Sequence, residues 1–272
     1  MTEKMKKAVI LARGLGTRMR KDDGNANVTG DQAAIADQGV KAMIPIDRPF
    51  LDYVMHALAE SGYEKICLVI GPEHDAVRDY YNSIELTRLT VDFAIQAKPL
   101  GTADAVAAAQ EFAGNDPFLV INSDNYYPVS AFKGLRNIDG PGLIGFTRDG
   151  LLSGGNIPAD RINAFAIIKT DSEGFMERIV EKPDDATIAA MPEPHCLSMN
   201  CWRFGPEIFE ACKNIEKSVR GELEITDAVM YTIEKLGQKY HNVMVSAPVL
   251  DLSSRGDIAS VVDQLKGSPV QL

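Results

Sequence analysis

The chain has 272 residues, enough for one large α/β domain or two small ones. Apolar residues make up 45% and charged residues 24%, as in ordinary globular proteins. A net charge of −10 speaks against a nucleic-acid binder, whose footprint is a basic face, yet it still permits anion binding where a few arginines and lysines converge in one cleft.

Short apolar runs alternate with helical patterns through the first half. "KKAVILA" (6–12) predicts a buried strand. "PFLDYVMHALAESG" (49–62) predicts a helix, with Pro49 at its start and Gly62 past its end. "KICLVIG" (65–71) is the next strand, "EHDAVRDYYN" (73–82) a short helix and "LTVDFAIQ" (89–96) a further strand. "TADAVAAAQEFAG" (102–114) reads as one helix capped by Thr102, and "PFLVINSD" (117–124) as a buried strand. This alternation implies a parallel sheet with helices on both faces.

The second half is richer in strands: 142–148, 162–170, 175–183, 196–205 and 242–252, with helices at 206–215, 224–237 and 255–267. The expected fold class is a three-layer α/β/α, Rossmann-like domain with a mixed, mostly parallel central sheet. Two polar stretches resist regular assignment. In 21–39 only "DQAAIAD" suggests a helical turn or two, and the glycine-rich 149–160 reads as a loop. Segments of this length are often lids or disordered.

No run of about 20 apolar residues is present, so no membrane association is expected. The basic start "MTEKMKKAVILARGLG" has a short apolar part ending in Arg13, and reads as a core strand rather than a signal peptide. Cys67, Cys196, Cys201 and Cys212 have neither zinc spacing nor a CxxC pair, so they read as buried reduced thiols. A cytoplasmic protein is the expectation.

In open parallel sheets, ligands bind beyond the carboxyl ends of the strands. There "GLGTRM" (14–19) places Gly14 and Gly16, which let backbone N–H groups approach phosphate, next to the forked cation of Arg18. It fits neither G-x-G-x-x-G nor a P-loop, so a plain strand–turn fits as well. Lys41 precedes an apolar run and is equally an ordinary solvated lysine. Gln96 closes a strand with a carboxamide that suits the imide edge of a base, or a capped loop. Asp124 closes another strand, where a carboxylate holds Mg²⁺ or makes a turn. Asp251 likewise closes an apolar run. Glu181 and Lys182 point to opposite faces if their strand continues through them. Glu222, Glu224 and Asp227 sit at a helix start, where the helix dipole alone accounts for them.

Taken together and in this order, these elements resemble the sugar-1-phosphate nucleotidylyltransferases from about residue 6 to about residue 265. The motifs are "GLGTRM" (14–19), "KAMIPI" (41–46), "QAKPLGTADA" (96–105), "INSD" (121–124) and "VEKP" (180–183). "GELEITDAV" (221–229) is similar to thymidylyl- and uridylyltransferases of that family.

The resemblance implies one nucleotidyltransferase domain over 1–272, with a nucleotide-binding half at about 1–130 and a sugar-phosphate half at about 131–272. It implies Leu11, Gly14, Gly16, Thr17, Gln96, Gly101 and Thr102 on the nucleotide, and Arg18 and Lys41 on the triphosphate. Lys182 would hold the sugar phosphate, Glu181 and Asn200 the sugar, and Asp124 and Asp251 Mg²⁺. The partners implied are an NTP, UTP or dTTP favoured, and a sugar-1-phosphate, with a homo-oligomer common in such families. The nucleophile is already an anion, so none of His56, His74, His195 and His241 is needed as a base.

Four departures stand out. Arg13 replaces a small residue, 21–39 is long, "VLDLSSRGD" replaces Asp-x-Gly-Thr around Asp251, and Ala166 stands where glycine is common. The altered surroundings of Asp251 keep open a nucleotide-sugar sensor on the same fold, as well as a transferase using GTP, ATP or CTP or a non-hexose acceptor. A dinucleotide-dependent oxidoreductase lacks its acidic strand end about 20 residues after the glycines. No left-handed β-helix pattern follows, so no second acyltransferase activity is expected.

Overall fold

Unbroken apolar runs such as "AVIL" and "ICLVI" have no polar face to offer water, so they are stable only as strands covered on both sides. The computed structural model describes residues 4–14, 16–21, 26–191 and 195–272. Its strands are β1 (Lys7–Leu11), β2 (Lys65–Ile70), β3 (Thr90–Ile95), β4 (Phe118–Asn122), β5 (Asn125–Tyr126), β6 (Gly142–Phe146), β7 (Ala166–Thr170), β8 (Met176–Val180), β9 (Cys196–Phe204), β10 (His241–Val245) and β11 (Leu250–Asp251).

The main sheet runs β10-β6-β9-β4-β1-β2-β3, with β7 joined to β9 and β8 to β7. β4, β1, β2 and β3 are mutually parallel, as are β10 and β6, and β9 runs against its neighbours β4 and β6. β5 and β11 form a separate antiparallel pair. This is the expected mixed sheet with parallel central strands.

Alternate residues of one strand serve opposite layers. Ala8 and Ile10 of β1 join the core with the helices Phe50–Glu60 and Val129–Asn137. Val9, between them, joins the other core with Thr102–Ala108, Glu207–Asn214 and Ile225–Leu236. The three layers follow directly. Among the described residues, no helix is long and apolar enough to cross a membrane.

Several boundaries differ from expectation. The predicted helix 102–114 breaks at Ala109 into Thr102–Ala108 and Gln110–Ala113. The predicted strand 242–252 divides into β10 and β11, because Pro248 has no N–H to give a ladder and the chain changes partner from β6 to β5. Residues 162–165 are not strand. A short helix, Ala159–Ile162, precedes β7. The loop predicted at 149–160 begins as the helix Arg148–Leu152, whose N-cap Thr147 accepts from the Gly150 N–H at 3.1 Å.

The polar 21–39 stretch holds a nine-residue helix, Gly30–Gln38. A reciprocal cap starts it: Gln32 N–H donates to Thr29 Oγ1 at 3.3 Å, and Thr29 N–H donates to Gln32 Oε1 at 3.0 Å. Residues 22–25, also within that stretch, lie outside the described residues.

Candidate active site

The turn after β1 needs glycine for a packing reason. Gly16 has φ 59°, and a Cβ there would stand 2.3 Å from the Gly39 carbonyl oxygen. The loop is thus pressed against the turn that ends helix Gly30–Gln38. Gly14 is different: no described residue lies within 4 Å of where its Cβ would be. It lines a cavity of about 380 Å³ together with Leu11, Thr17, Lys41 and Asp124 at one end, and Gln96, Gly101 and Thr102 at the other. A volume of this order suits a small-molecule ligand. Arg18 lies on the exposed side of the helix Thr17–Arg20, outside this lining, and bonds to no described residue.

Lys41 opens a short 3-10 turn, Lys41–Met43, directly after Gly39. Its ammonium reaches the strand-end carboxylate of β4, with Nζ 2.7 Å from Asp124 Oδ2. The Gly30–Gln38 helix therefore sets where Lys41 stands. Asp124 Oδ1 accepts from no described residue, so this half-buried carboxylate keeps an open oxygen at the cavity. A hard divalent cation, which takes one or two carboxylates and completes its shell with phosphate and water, fits that donor.

At the other end Gln96 is buried just beyond β3. Its Nε2 donates to Gly101 O at 3.0 Å and to Asp104 Oδ2 at 2.8 Å. Both partners are pure acceptors, so the amide orientation is determined by its bonds. Oε1 bonds to no described residue. The Gln96 carbonyl accepts from Arg13, which also pairs with Glu73 at 3.2 Å. The departure at position 13 thus braces the base of this loop.

The "GELEIT" stretch clamps the same loop from outside. Leu223 N–H donates to Leu100 O at 2.8 Å, and Ala103 N–H donates to Leu223 O at 2.9 Å. Gly101 has φ 130°, and a Cβ on it would lie 2.4 Å from Leu223 O. Thr102 was expected to cap its own helix. Gly101 takes that N-cap position, and the Thr102 hydroxyl accepts from Ile225 N–H at 2.9 Å, capping the helix Ile225–Leu236 instead.

Glu181, Lys182 and Asn200 do not line this cavity. β8 stops at Val180, so Glu181 and Lys182 do not alternate across a strand as expected. Lys182 has φ 43° and Asn200 φ 57°, the two non-glycine residues in the left-handed region among those described. Such conformations cost about 1–3 kcal/mol each and persist where surrounding structure imposes them. At Asn200 the cause is visible. The pairing of β9 with β6 slips between Ser198 and Trp202, and Asn200 sits in that bulge. Trp202 Nε1 donates to Asn200 Oδ1 at 3.3 Å, leaving the amide nitrogen unengaged. Glu181 is exposed, yet its carboxyl is shifted upward from its ordinary value, chiefly by desolvation from the protein around it. Arg220 opposes that shift, and Glu224 and Asp227 add to it.

Asp251, expected beside Asp124 as a metal ligand, is indeed its neighbour. Leu252 N–H donates to Asp124 O at 2.8 Å. Its carboxylate is already engaged, however. Oδ1 accepts from Ser253 Oγ at 2.7 Å and from Asn125 Nδ2 at 3.3 Å, and Oδ2 is paired with Arg161. Burial and the Asp124 charge hold its pKa up, against the pull of Arg161. No group of three or more His, Cys, Asp or Glu placed to hold a metal occurs among the described residues.

Sequence reasoning did not single out Arg161, Asn156 or Asp104. Their partners are distant or off-pattern, and nothing in local spacing marks them. All four cysteines are buried and free, as expected.

Gly14, a lysine on a strand-end aspartate and an oriented glutamine thus surround one cavity at the carboxyl edge of an α/β sheet. Residues 7–247 match the family model of nucleotidyl transferases, and the chain belongs to that family. It is 25% identical, over 84% of its length, to the low-salt glycan biosynthesis nucleotidyltransferase Agl11 of Haloferax volcanii. It is 28% identical, over 94% of its length, to a glucose-1-phosphate thymidylyltransferase of Streptomyces griseus. The chain spans 57% and 64% of those two relatives. A UDP-glucose pyrophosphorylase complexed with UDP-glucose superposes with a TM-score of 0.71 at 20% identity, over 96% of this chain and 99% of that one. The fold is that of the nucleotide-diphospho-sugar transferases.

Proposed function

We propose that the protein is a sugar-1-phosphate nucleotidylyltransferase that joins an NTP to a sugar-1-phosphate and releases pyrophosphate. The observation that carries this reading is the cavity itself. Its two ends carry the Lys41–Asp124 pair and the oriented Gln96 amide, with the open face of Gly14 between Leu11 and Thr17.

The base lies at the Gln96 end. With Nε2 spent on Gly101 and Asp104, the side chain offers the base an acceptor, Oε1. Uracil and thymine present an N3–H there, whereas cytosine presents a lone pair at N3. This favours UTP or dTTP. The triphosphate runs toward Lys41, with the exposed Arg18 closing on its outer phosphates. Lys182 holds the sugar phosphate, and Glu181 and Asn200 the sugar hydroxyls.

A sugar-phosphate oxygen, already anionic, attacks the α-phosphorus in line as the bond to the leaving pyrophosphate breaks. No proton need be removed, so the protein's work is alignment and charge neutralisation. Asp124 would hold Mg²⁺, which when bound offsets negative charge on the phosphate oxygens. Lys41 keeps Asp124 aimed at the cavity.

The test is pyrophosphate release with Mg²⁺, pairing UTP, dTTP, GTP, CTP and ATP with a panel of hexose-1-phosphates. Release that needs one NTP and one sugar phosphate, and that collapses in Arg18→Ala and Asp124→Ala, is the expected result. Silence across the panel with nucleotide-sugar binding intact by calorimetry would replace this reading with a sensor.

A further inference from the structure

Resting on the reading of a divalent ion at Asp124, we propose that Arg161 is the resident cation of Asp251. This carboxylate anchors the 148–162 segment and gives no ligand to the metal. Two sets of contacts argue for it.

The first is charge. The Arg161 fork lies between two buried carboxylates, paired to Asp251 Oδ2 through one nitrogen and to Asp257 Oδ1 through the other at 2.9 Å. The remaining oxygens are filled as well. Asp251 Oδ1 takes the Ser253 hydroxyl at 2.7 Å and Asn125 at 3.3 Å. Asp257 Oδ2 takes Ser253 N–H at 3.1 Å, Ser254 N–H at 2.7 Å and Ser254 Oγ at 2.9 Å. A metal on Asp251 would have to evict the guanidinium and leave Asp257 buried without its cation, an arrangement proteins avoid. Lys41 on Asp124 poses no such obstacle. It holds one oxygen only, through a compact ammonium on a flexible stem, whereas the planar fork of Arg161 is held at both tines.

The second is the backbone. Asn156 brackets Asp251, its Nδ2 donating to Asp251 O and its Oδ1 accepting from Asp251 N–H, each at 2.8 Å. The same segment that delivers Arg161 therefore also grips the main chain of its target. "DLSSRGD" supplies Ser253, Ser254 and Asp257, and "NIPADR" supplies Asn156 and Arg161. The departure from Asp-x-Gly-Thr around Asp251 and the long 149–160 stretch become two halves of one device.

The experiment titrates Mn²⁺ alone into the full chain, with free Mn²⁺ read by electron paramagnetic resonance. Asp124→Asn is expected to weaken binding roughly tenfold or more, and Asp251→Asn to leave it within about twofold. Asp251→Asn weakening Mn²⁺ as much as Asp124→Asn overturns the proposal. A second measurement is a thermal cycle of Arg161→Gln, Asp251→Asn and the double variant. Each single change should lower Tm, and the double should fall well short of their sum. Additive losses overturn the proposal. If Asp124→Asn and Asp251→Asn both leave Mn²⁺ binding unchanged, the metal reading fails, and the thermal cycle still decides whether Arg161 is bound to Asp251.

Discussion

The amide nitrogen of Gln96 donates to the carboxylate of Asp104 at 2.8 Å, across eight residues and one tight glycine turn. A buried amide free to flip would present either a donor or an acceptor to a base. Asp104 and the Gly101 carbonyl remove that freedom. Asp104→Leu is therefore expected to narrow the preference for UTP over CTP in kcat/KM by about tenfold, the scale of one misplaced buried hydrogen bond. Asp104→Asn keeps an acceptor oxygen and should retain most of it. Steady-state kinetics with both nucleotides checks this. An equal loss for both would reduce Asp104 to a merely structural role.

The loop glycines separate into two kinds. Gly16→Ala and Gly101→Ala each force a side chain into backbone at 2.3–2.4 Å with a positive φ. Each should cost at least about 2 kcal/mol, lowering Tm by about 5 °C or more. Gly14→Ala meets no described residue and should stay within about 0.5 kcal/mol of the parent. Its Cβ adds bulk to the lining of the proposed nucleotide site, so calorimetry with UTP should show weakened binding at unchanged Tm.

Lys182 holds a left-handed backbone that glycine adopts freely. Lys182→Gly is expected to leave stability unchanged or raise it by up to about 1 kcal/mol, since relief of the strain outweighs the entropy of glycine. The same change should abolish most pyrophosphate release. Denaturant melts beside activity assays separate the two effects. Lost stability would show that the lysine side chain, rather than the site, maintains this turn.

Burial pushes the Cys67 and Cys212 thiols up to about 12. At pH 8 about one molecule in ten thousand then carries either thiolate, so the native protein should not react at these positions with a thiol reagent. The unfolded chain releases these protons near pH 8.5. The folded state thus binds more protons between about 8.5 and 12, and the associated stability, present below that window, is lost as pH rises through it. Thiol labelling at pH 8 with and without denaturant, and melts at pH 8 and 10, check both parts. Rapid native labelling at pH 8 would contradict the burial.

By itself the sequence determined the layers and the loops. "AVIL", "ICLVI" and "FLVI" are apolar at every position, which commits them to the middle of a covered sheet. The placement of Gly14, Gln96 and Asp124 just beyond strand ends follows, because the carboxyl ends of parallel strands share one edge of the sheet.

Only the tertiary structure decided the partners. Gly16 is a glycine because of Gly39, Gly101 because of Leu223, and Thr102 caps a helix that begins 123 residues later. β8 ends at Val180, where Lys182 turns into the left-handed region, and β11 leaves β10 because Pro248 and the proximity of β5 redirect it. Arg161 meets Asp251 from 90 residues away. Local propensity specifies what a segment is able to form. Which buried carboxylate a guanidinium neutralises depends on where the completed fold leaves unpaired charge, and no window of neighbouring residues contains that information.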